Sequence, residues 1–216
     1  MKRAYFLSGL GADRRVFAYL DLSFCEPVFI DWIPPLKKET LTSYALRIRA
    51  TIPEKDPVVV GLSLGGMLAS EMAKADRGVK AIIISSNKSS NEFPRYLRVF
   101  KHLPVYKWMP GMLMKNMQRL YTYAFGVTDP EQKRLLYQVI ADADMKFVKW
   151  AIEAILRWDN ANTSGNITHI HGTADRLLKL RFVQPDHIIE GGSHTMTLDK
   201  HREVSEILRV RIANSR

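Results

Sequence analysis

The stretch that decides the fold reads Pro57-Val58-Val59-Val60-Gly61-Leu62-Ser63-Leu64-Gly65-Gly66-Met67-Leu68-Ala69-Ser70-Glu71-Met72-Ala73. A β-branched run ends in the pattern G-x-S-x-G, and a helix-compatible segment follows at once. Strand, sharp turn and helix in this order hold a serine in a strained backbone conformation, with Gly61 and Gly65 leaving room for strand and helix to pass closely. We predict that Ser63 is a nucleophile raised above a sheet edge, and that the N–H of Leu64 points at a developing oxyanion.

The same alternation of strand and helix runs through much of the chain. Apolar runs predict strands at 4–7, 28–33, 79–86, 167–175 and 187–190, besides the one before Ser63. Helical spacing predicts helices at 14–20, from Thr40 or Thr42 to Pro53, from Leu64 to near Gly78, and across 204–212. Repeated βα units indicate an α/β protein with a mostly parallel, doubly wound sheet.

No strand is predicted between Asn87 and Asn162. Helical patterns fill this stretch instead, and Pro94, Pro104, Pro110 and Pro130 divide them into short pieces. We predict a single domain, 1–216, with its core in 1–86 and 163–216 and a helical cap insertion in 87–162. The first half of that cap carries methionines and aromatic residues, interleaved with four basic residues. It favours either an acyl-binding pocket, the core of small helices or contact with a membrane surface. The apolar members are Trp108, Met109, Met112, Met114, Met117, Tyr121, Tyr123 and Phe125, and the basic ones are Lys101, Lys107, Lys115 and Arg119.

Composition narrows the class of protein. The chain has 216 residues, 46% of them hydrophobic and 25% charged, which is typical of one folded domain and not of a disordered chain. No apolar run is long enough to cross a bilayer and the first residues do not resemble a signal peptide, so we expect no stable membrane insertion. The single cysteine, Cys25, excludes an intrachain disulfide and favours the reducing cytoplasm. A net charge of +10 would suit nucleic acid, but the basic residues are scattered and form no recognisable module, so we expect no nucleic-acid partner.

Six histidines offer a base for the serine, and one has the right setting. His194 lies in the glycine-rich loop Gly191-Gly192-Ser193-His194, between a strand and a helix, from which a side chain reaches over the sheet edge. His169 and His171 alternate along a strand and are predicted to be packed or hydrogen-bonded within it. Asp175 follows the same strand and is placed to orient an imidazole. The order Ser63, Asp175, His194 differs from the orders of other serine-hydrolase folds.

Three segments together carry a resemblance to a known family. Gly61-Leu62-Ser63-Leu64-Gly65, His171-Gly172-Thr173-Ala174-Asp175 and Gly192-Ser193-His194 resemble the elbow, acid loop and histidine loop of the α/β-hydrolase superfamily, and the likeness covers essentially the whole chain. Ser8-Gly9-Leu10-Gly11-Ala12-Asp13 resembles the opening of small bacterial α/β-hydrolases.

The resemblance implies an α/β-hydrolase fold with catalytic Ser63, Asp175 and His194, and an oxyanion hole formed by the backbone N–H groups of Leu10 and Leu64. Many members have His-Gly where this chain has Ser8-Gly9, which leaves the hydrogen bonding of that loop open. The usual first two strands are missing, so the sheet should have about six strands.

We therefore predict a serine hydrolase that cleaves an ester or thioester of a small to medium acyl substrate through an acyl-enzyme, resembling carboxylesterases and thioesterases. No cofactor and no metal is expected, because no cluster has ligand spacing, and the glycine loop at 8–13 lacks the spacing of a nucleotide-phosphate loop. The same residues also suit acyl transfer or another non-hydrolytic reaction of the fold, and a non-catalytic ligand-binding or interaction protein is the remaining alternative.

Overall fold

A computed structural model describes residues 1–93, 108–163 and 165–214. Six strands form one sheet in the order β2-β1-β3-β4-β5-β6, and every neighbouring pair is parallel. The prediction of a parallel sheet of about six strands is therefore confirmed. The strands are β1 (Lys2–Leu7), β2 (Cys25–Ile30), β3 (Val58–Leu62), β4 (Lys80–Ile84), β5 (Asn166–Gly172) and β6 (His187–Ile189).

Helices cover both faces of the sheet and fill the long interval between β4 and β5. Short 3-10 helices span Arg14–Phe17, Ser90–Glu92 and Leu180–Phe182. The α-helices of the described residues are α1 (Leu41–Arg49), α2 (Leu64–Ala75), α3 (Gly111–Lys115), α4 (Gln118–Phe125), α5 (Pro130–Asp142), α6 (Met145–Leu156), α7 (Met196–Asp199) and α8 (His201–Ala213). The sequence predictions for Pro94, Lys101, His102, Pro104 and Lys107 fall outside the described residues.

The central strand shows why the sheet is buried on both faces. Val58, Val59 and Val60 are all fully buried, although successive side chains of a strand point to opposite faces. Val59 packs in the cluster that holds α1 and α2, whereas Val58 and Val60 pack in the cluster that holds the 3-10 helix at Arg14–Phe17 and α8. Such continuous apolar runs are typical of parallel strands covered on both sides.

The helix starts follow the local sequence closely. Of the two predicted caps of α1, the structure uses Thr40, whose side chain accepts from the N–H of Ser43 while Ser43 bonds back to the Thr40 backbone. Asp129 caps α5 by accepting from the N–H groups of Glu131 and Gln132, with Pro130 in the first turn, where a missing N–H costs nothing.

Three predicted boundaries were wrong. The helix predicted at 14–20 is only the four-residue 3-10 helix Arg14–Phe17, because its buried side chains are limited to Val16 and Phe17 and the chain then turns toward β2. The second strand begins earlier than predicted, since Cys25–Ile30 pairs residue for residue with β1 and that pairing ends at Leu7. Helix α2 ends at Ala75, three residues before Gly78.

Candidate active site

Ser63 lies in a sharp turn between β3 and α2. Its φ of 52° and ψ of −113° place a non-glycine residue in a strained region of backbone space. The N–H of Ser63 donates to the carbonyl of Ile84 at 2.9 Å, and its own carbonyl accepts from the Ser86 hydroxyl at 2.7 Å. These bonds to the end of the neighbouring strand hold the serine in that conformation.

The two glycines of the turn are required by close backbone contact. A Cβ on Gly61 would overlap with the backbone of Gly65, and a Cβ on Gly65 would overlap with the carbonyl of Leu7. The N–H of Gly65 also donates to the Ser8 carbonyl at 3.0 Å, so α2 starts directly against the end of β1. The turn thus brings Ser63 beside the loop that follows β1.

His194 lies in the loop between β6 and α7 and is 4% exposed. The loop is held by the Asp199 carboxylate, which accepts from the hydroxyl of Ser193 at 2.7 Å and from its N–H at 3.1 Å. The ring of Phe125, at the end of α4, stacks on the imidazole at 5.5 Å between centroids, and Thr195 donates its hydroxyl to the Phe125 carbonyl. The histidine is therefore held from the core side and covered from the cap side.

Asp175 follows β5, and both oxygens of its carboxylate have hydrogen-bond partners. One oxygen, Oδ1, accepts from the backbone N–H groups of Leu177 and Leu178 at 2.9 and 2.8 Å, and Oδ2 lies 2.8 Å from Nδ1 of His194. Burial by itself would raise the pKa of this carboxyl, but the adjacent His194 and the amide of Leu178 outweigh burial and hold the pKa below its usual value. Asp175 is consequently ionised at neutral pH.

The structure brings the three predicted residues into one hydrogen-bonded series. Nε2 of His194 lies 3.0 Å from Oγ of Ser63, on the opposite side of the ring from Asp175. Because a carboxylate only accepts, Nδ1 carries the ring proton, and Nε2 is left to accept from the Ser63 hydroxyl. An alcohol, a base and an acid that orients the base are the components of nucleophilic acyl transfer.

Of the two predicted oxyanion donors, Leu64 directly follows Ser63, and Leu10 lies in the loop after β1. Within residues 1–93, 108–163 and 165–214, neither backbone N–H donates to a protein acceptor. Leu64 is the first residue of α2, where helical amides have no partner within the helix. A Cβ on Gly9 would lie 3.6 Å from Cβ of Ser63, so the loop bearing Leu10 passes next to the serine.

The serine that replaces the family's usual histidine in this loop has a defined contact. The Ser8 hydroxyl donates to the carbonyl of Ala12 at 2.7 Å, and the Trp32 indole N–H donates to the same carbonyl at 2.7 Å. The N–H of Ala12 donates in turn to the carbonyl of Gly9 at 3.0 Å. The loop that carries Leu10 is thus closed on itself and tied to the chain after β2.

The helices between β4 and β5 contact the loops that follow the strands at two places. Phe125 covers His194 as described, and Phe147 of α6 stacks on Trp32 at 4.9 Å between centroids. Arg15 joins the second contact through an ion pair with Asp142 at 2.8 Å. A cavity of about 180 Å³ lies between the loop at 11–13 and the helices α5 and α6.

The methionine- and aromatic-rich first half of the cap is largely exposed where it is described. Met114 is 6% exposed, but Trp108, Met112 and Tyr123 are 88, 77 and 66% exposed, and α4 has no buried residue. These three side chains therefore do not form a core of small helices.

Among the described residues, the histidines other than His194 form no hydrogen bond with Ser63. His169 and His171 are buried in β5 and bond to each other, as predicted, but the proximity of His171 to Asp175 (3.6 Å) was not predicted. His187 accepts from Arg211. His201 begins α8 and bonds to the Leu198 carbonyl, so it is partly buried rather than fully solvent-facing.

Metal-binding clusters and membrane-spanning helices are both absent from the described residues. No group of three or more His, Cys, Asp or Glu residues gathers there in a way that would hold a metal ion. None of the helices in residues 1–93, 108–163 and 165–214 combines the length and apolar character that a membrane span requires.

Comparison with known proteins gives one family and a set of similar folds. A sequence model of the alpha/beta hydrolase family matches residues 4–207. No protein with a curated description matches the sequence significantly.

Similar solved structures include an esterase from Exiguobacterium antarcticum, with a TM-score of 0.79 and 15% identity over 99% of this chain and 92% of that one. A thermophilic esterase from Thermogutta terrifontis has a TM-score of 0.73 and 16% identity, covering 100% of this chain and 90% of the other. An enol-lactonase from Burkholderia xenovorans has a TM-score of 0.75 and 13% identity, covering 99% and 92%. At these identities the likeness shows the fold alone.

Proposed function

Because the chain belongs to the alpha/beta hydrolase family, we propose that it is a serine hydrolase that cleaves esters or thioesters of small to medium acyl substrates. One observation carries this proposal. The His194 ring bridges the Ser63 hydroxyl at 3.0 Å and the Asp175 carboxylate at 2.8 Å, in a buried setting. These are the separations at which a base removes a proton from an alcohol.

The proposed reaction proceeds in two halves. Ser63 Oγ attacks the carbonyl carbon while His194 Nε2 takes its proton, and the backbone N–H groups of Leu10 and Leu64 stabilise the oxyanion. The intermediate collapses, His194 gives the proton to the leaving alcohol or thiol, and the acyl group stays on Ser63. Water then attacks the acyl-enzyme with His194 again as base, the bond to Ser63 Oγ breaks, and His194 returns the proton to Ser63 as the acid leaves. Asp175 stays ionised throughout and stabilises the imidazolium.

The surroundings of the site support chemistry on an uncharged carbonyl. His194 and Asp175 are 4 and 5% exposed, so the electrostatic contact between them is little screened by water. The unpaired amide of Leu64 lies at the start of α2, where the helix dipole favours negative charge. The similar solved structures include esterases and an enol-lactonase, and this likeness supports an ester as the substrate class.

Ser63→Ala provides the first test. In a panel of p-nitrophenyl esters and acyl thioesters of increasing chain length, we expect wild-type protein to turn over at least one ester, and Ser63→Ala to lose 10⁴-fold or more, on the order seen when a triad member is removed. A serine-reactive fluorophosphonate should label wild type at Ser63, located by peptide mass spectrometry. Ser23→Ala, which removes an exposed serine before β2, serves as the matched control and should retain both activity and labelling.

Two results would contradict the proposal. Folded wild-type protein whose Ser63 does not react with the phosphonate would favour a non-catalytic binding role. If an added alcohol or amine is acylated faster than water attacks, the enzyme is an acyltransferase and not a hydrolase.

The partner and location follow from the same proposal. A small acyl compound is the partner we infer, and nucleic acid is not, so binding to a mixed-sequence DNA duplex should be negligible at physiological salt. The reducing cytoplasm is inferred from the single cysteine, Cys25, which is buried and 3% exposed. Fractionation of cells that express a tagged chain tests the location directly.

A further inference from the structure

Two buried histidines lie on β5, the strand that leads to Asp175. His169 and His171 are two residues apart on one strand, so their side chains share a face of the sheet. Both are 0% exposed, and their rings are perpendicular with centroids 5.1 Å apart. His169 Nε2 lies 3.1 Å from His171 Nδ1, and His171 Nε2 lies 2.6 Å from the Leu178 carbonyl oxygen. The proposed mechanism gives neither ring a role.

Among the described residues, Nδ1 of His169 has no hydrogen-bond partner, and the bonds of the other three ring nitrogens assign a tautomer to each histidine when both rings are neutral. A carbonyl oxygen only accepts, so Nε2 of His171 must carry a proton. Burial lowers the pKa of both rings, that of His169 to about 2, and both are therefore neutral. A neutral ring has one N–H, so Nδ1 of His171 must accept, and Nε2 of His169 must donate to it. The N–H of His169 thus determines which nitrogen of His171 is protonated.

The N–H of His171 acts on the turn that holds Asp175. It donates to the carbonyl of Leu178, and the amide of the same residue donates to Oδ1 of Asp175 at 2.8 Å. His171 Nε2 is also 3.6 Å from Oδ2 of Asp175, the oxygen that contacts His194. The other tautomer would turn a lone pair toward both oxygens, which is repulsive at these distances.

We propose that His169 and His171 are positioning residues for Asp175: the N–H of His169 places the proton of His171 on Nε2, and that N–H fixes the turn 175–178 so that the carboxylate faces His194. This inference rests on the proposed function, because it assigns the pair a part in the same reaction. Neither ring contacts the reacting atoms. Their contribution is to keep the acid in the orientation in which it stabilises the imidazolium.

Two variants of similar size distinguish the hydrogen-bond donor of His169 from the volume of its side chain. His169→Gln retains a side-chain N–H at about the same reach, whereas His169→Met fills the site without a donor. We expect His169→Met to lower kcat for the best ester by about tenfold, the value of one buried hydrogen bond, with KM nearly unchanged, and His169→Gln to keep wild-type kcat. When each change is combined with Ser63→Ala, the low-field proton resonance of His194 Nδ1–H should persist in the His169→Gln protein. In the His169→Met protein that resonance should shift or disappear.

Two outcomes of the variant experiment would overturn the proposal. If His169→Met keeps wild-type kcat and the low-field resonance, the pair does not position Asp175. If His169→Gln loses as much kcat as His169→Met, packing is the cause and not the N–H.

A measurement on the wild type needs no variant to fold. In protein labelled with ¹⁵N-histidine, long-range proton–nitrogen correlation reports the tautomer of each ring. Both His169 and His171 should be protonated on Nε2, and a proton on Nδ1 of either ring would refute the relay. If the wild type hydrolyses no ester and Ser63 does not react, the proposed function fails instead, while the tautomers and the low-field resonance still decide whether the pair orients Asp175.

Discussion

Lowering the pH from 7.5 to 5.0 should destabilise this protein through His169. Burial first, and then the proximity of His171 and of the Lys88 ammonium, lower the pKa of His169 to about 2 in the folded protein, against 6.5 in the unfolded chain. Because the pKa of His169 is lower in the folded protein, its ring becomes protonated near pH 6.5 in the unfolded chain and stays neutral in the folded one. The contribution to stability is therefore complete above pH 6.5 and decreases steadily as the pH falls below it.

The size of the effect follows from linkage. Each pH unit below the unfolded pKa costs about 1.4 kcal/mol per buried neutral group, so the free energy of unfolding should fall by about 2 kcal/mol between pH 7.5 and 5.0. For a chain of this size that corresponds to a melting temperature lower by roughly 4 to 8 °C. The pKa of His171 is also lowered by burial, which acts in the same direction. The pKa of Asp175 is depressed, so its loss begins only below the range of pH used here.

Urea unfolding followed by circular dichroism at several pH values measures the free energy directly, and His169→Gln supplies the control. Glutamine does not titrate, so the variant should lose about 2 kcal/mol less than wild type over the same interval. A wild-type stability that stays flat down to pH 5.0, or a His169→Gln curve that runs parallel to it, would show that this ring is not held neutral in the folded protein.

Three substitutions test other parts of the structure. Lys74→Met removes the cation from a buried ion pair with Glu71 (2.8 Å, side chains 4 and 0% exposed), which should cost about 3 to 5 kcal/mol in urea unfolding, and a second change, Glu71→Gln, should recover much of it. Equal stability of the single and double variants would contradict this. Gly65→Ala places a Cβ on the backbone of β1, so soluble yield and ester turnover should both collapse, and a folded, active variant would refute the close contact. Ser8→Ala loses a hydrogen bond of 2.7 Å to the carbonyl of Ala12, and kcat/KM should fall about fivefold, or roughly 1 kcal/mol, with little change in melting temperature.

The parallel sheet was predictable because its signals are local. Runs such as Val58-Val59-Val60 are apolar on both faces, and each is followed by a turn and a helical pattern, which favours parallel strands over any other arrangement. The bounds of β2, which were predicted wrongly, depend on which residues of β1 it pairs with. Cys25–Ile30 begins where Lys2 begins on β1, a correspondence that no local pattern reveals.

The candidate site divides in the same way. Ser63, Asp175 and His194 each follow a strand, and the carboxyl ends of parallel strands meet at one edge, so their proximity could be anticipated from chain order. The stacking of Phe125 on His194 could not, because it depends on how a cap helix packs over the core. His171 carried a readable signal: it is the last residue but one of the strand that leads to Asp175, and the turn after Gly172 brings Asp175 back beside it.

Helix α2 links the nucleophile to the cap through a single rigid element. Its first residue follows Ser63, and its last turn carries Glu71, whose carboxylate accepts from both Lys74 and the Asn160 side chain after α6. The carbonyl of Asn160 accepts from the N–H of Ser90 at 3.0 Å, so the chain that leaves the core after β4 and the chain that returns before β5 are joined at this point. Since Phe125 contacts His194 from the intervening helices, a change in this buried ion pair should alter the site as well as stability. An apolar residue in place of Glu71 could not accept from the Asn160 side chain, so the segment between α6 and β5 would lose its hydrogen bonds to α2.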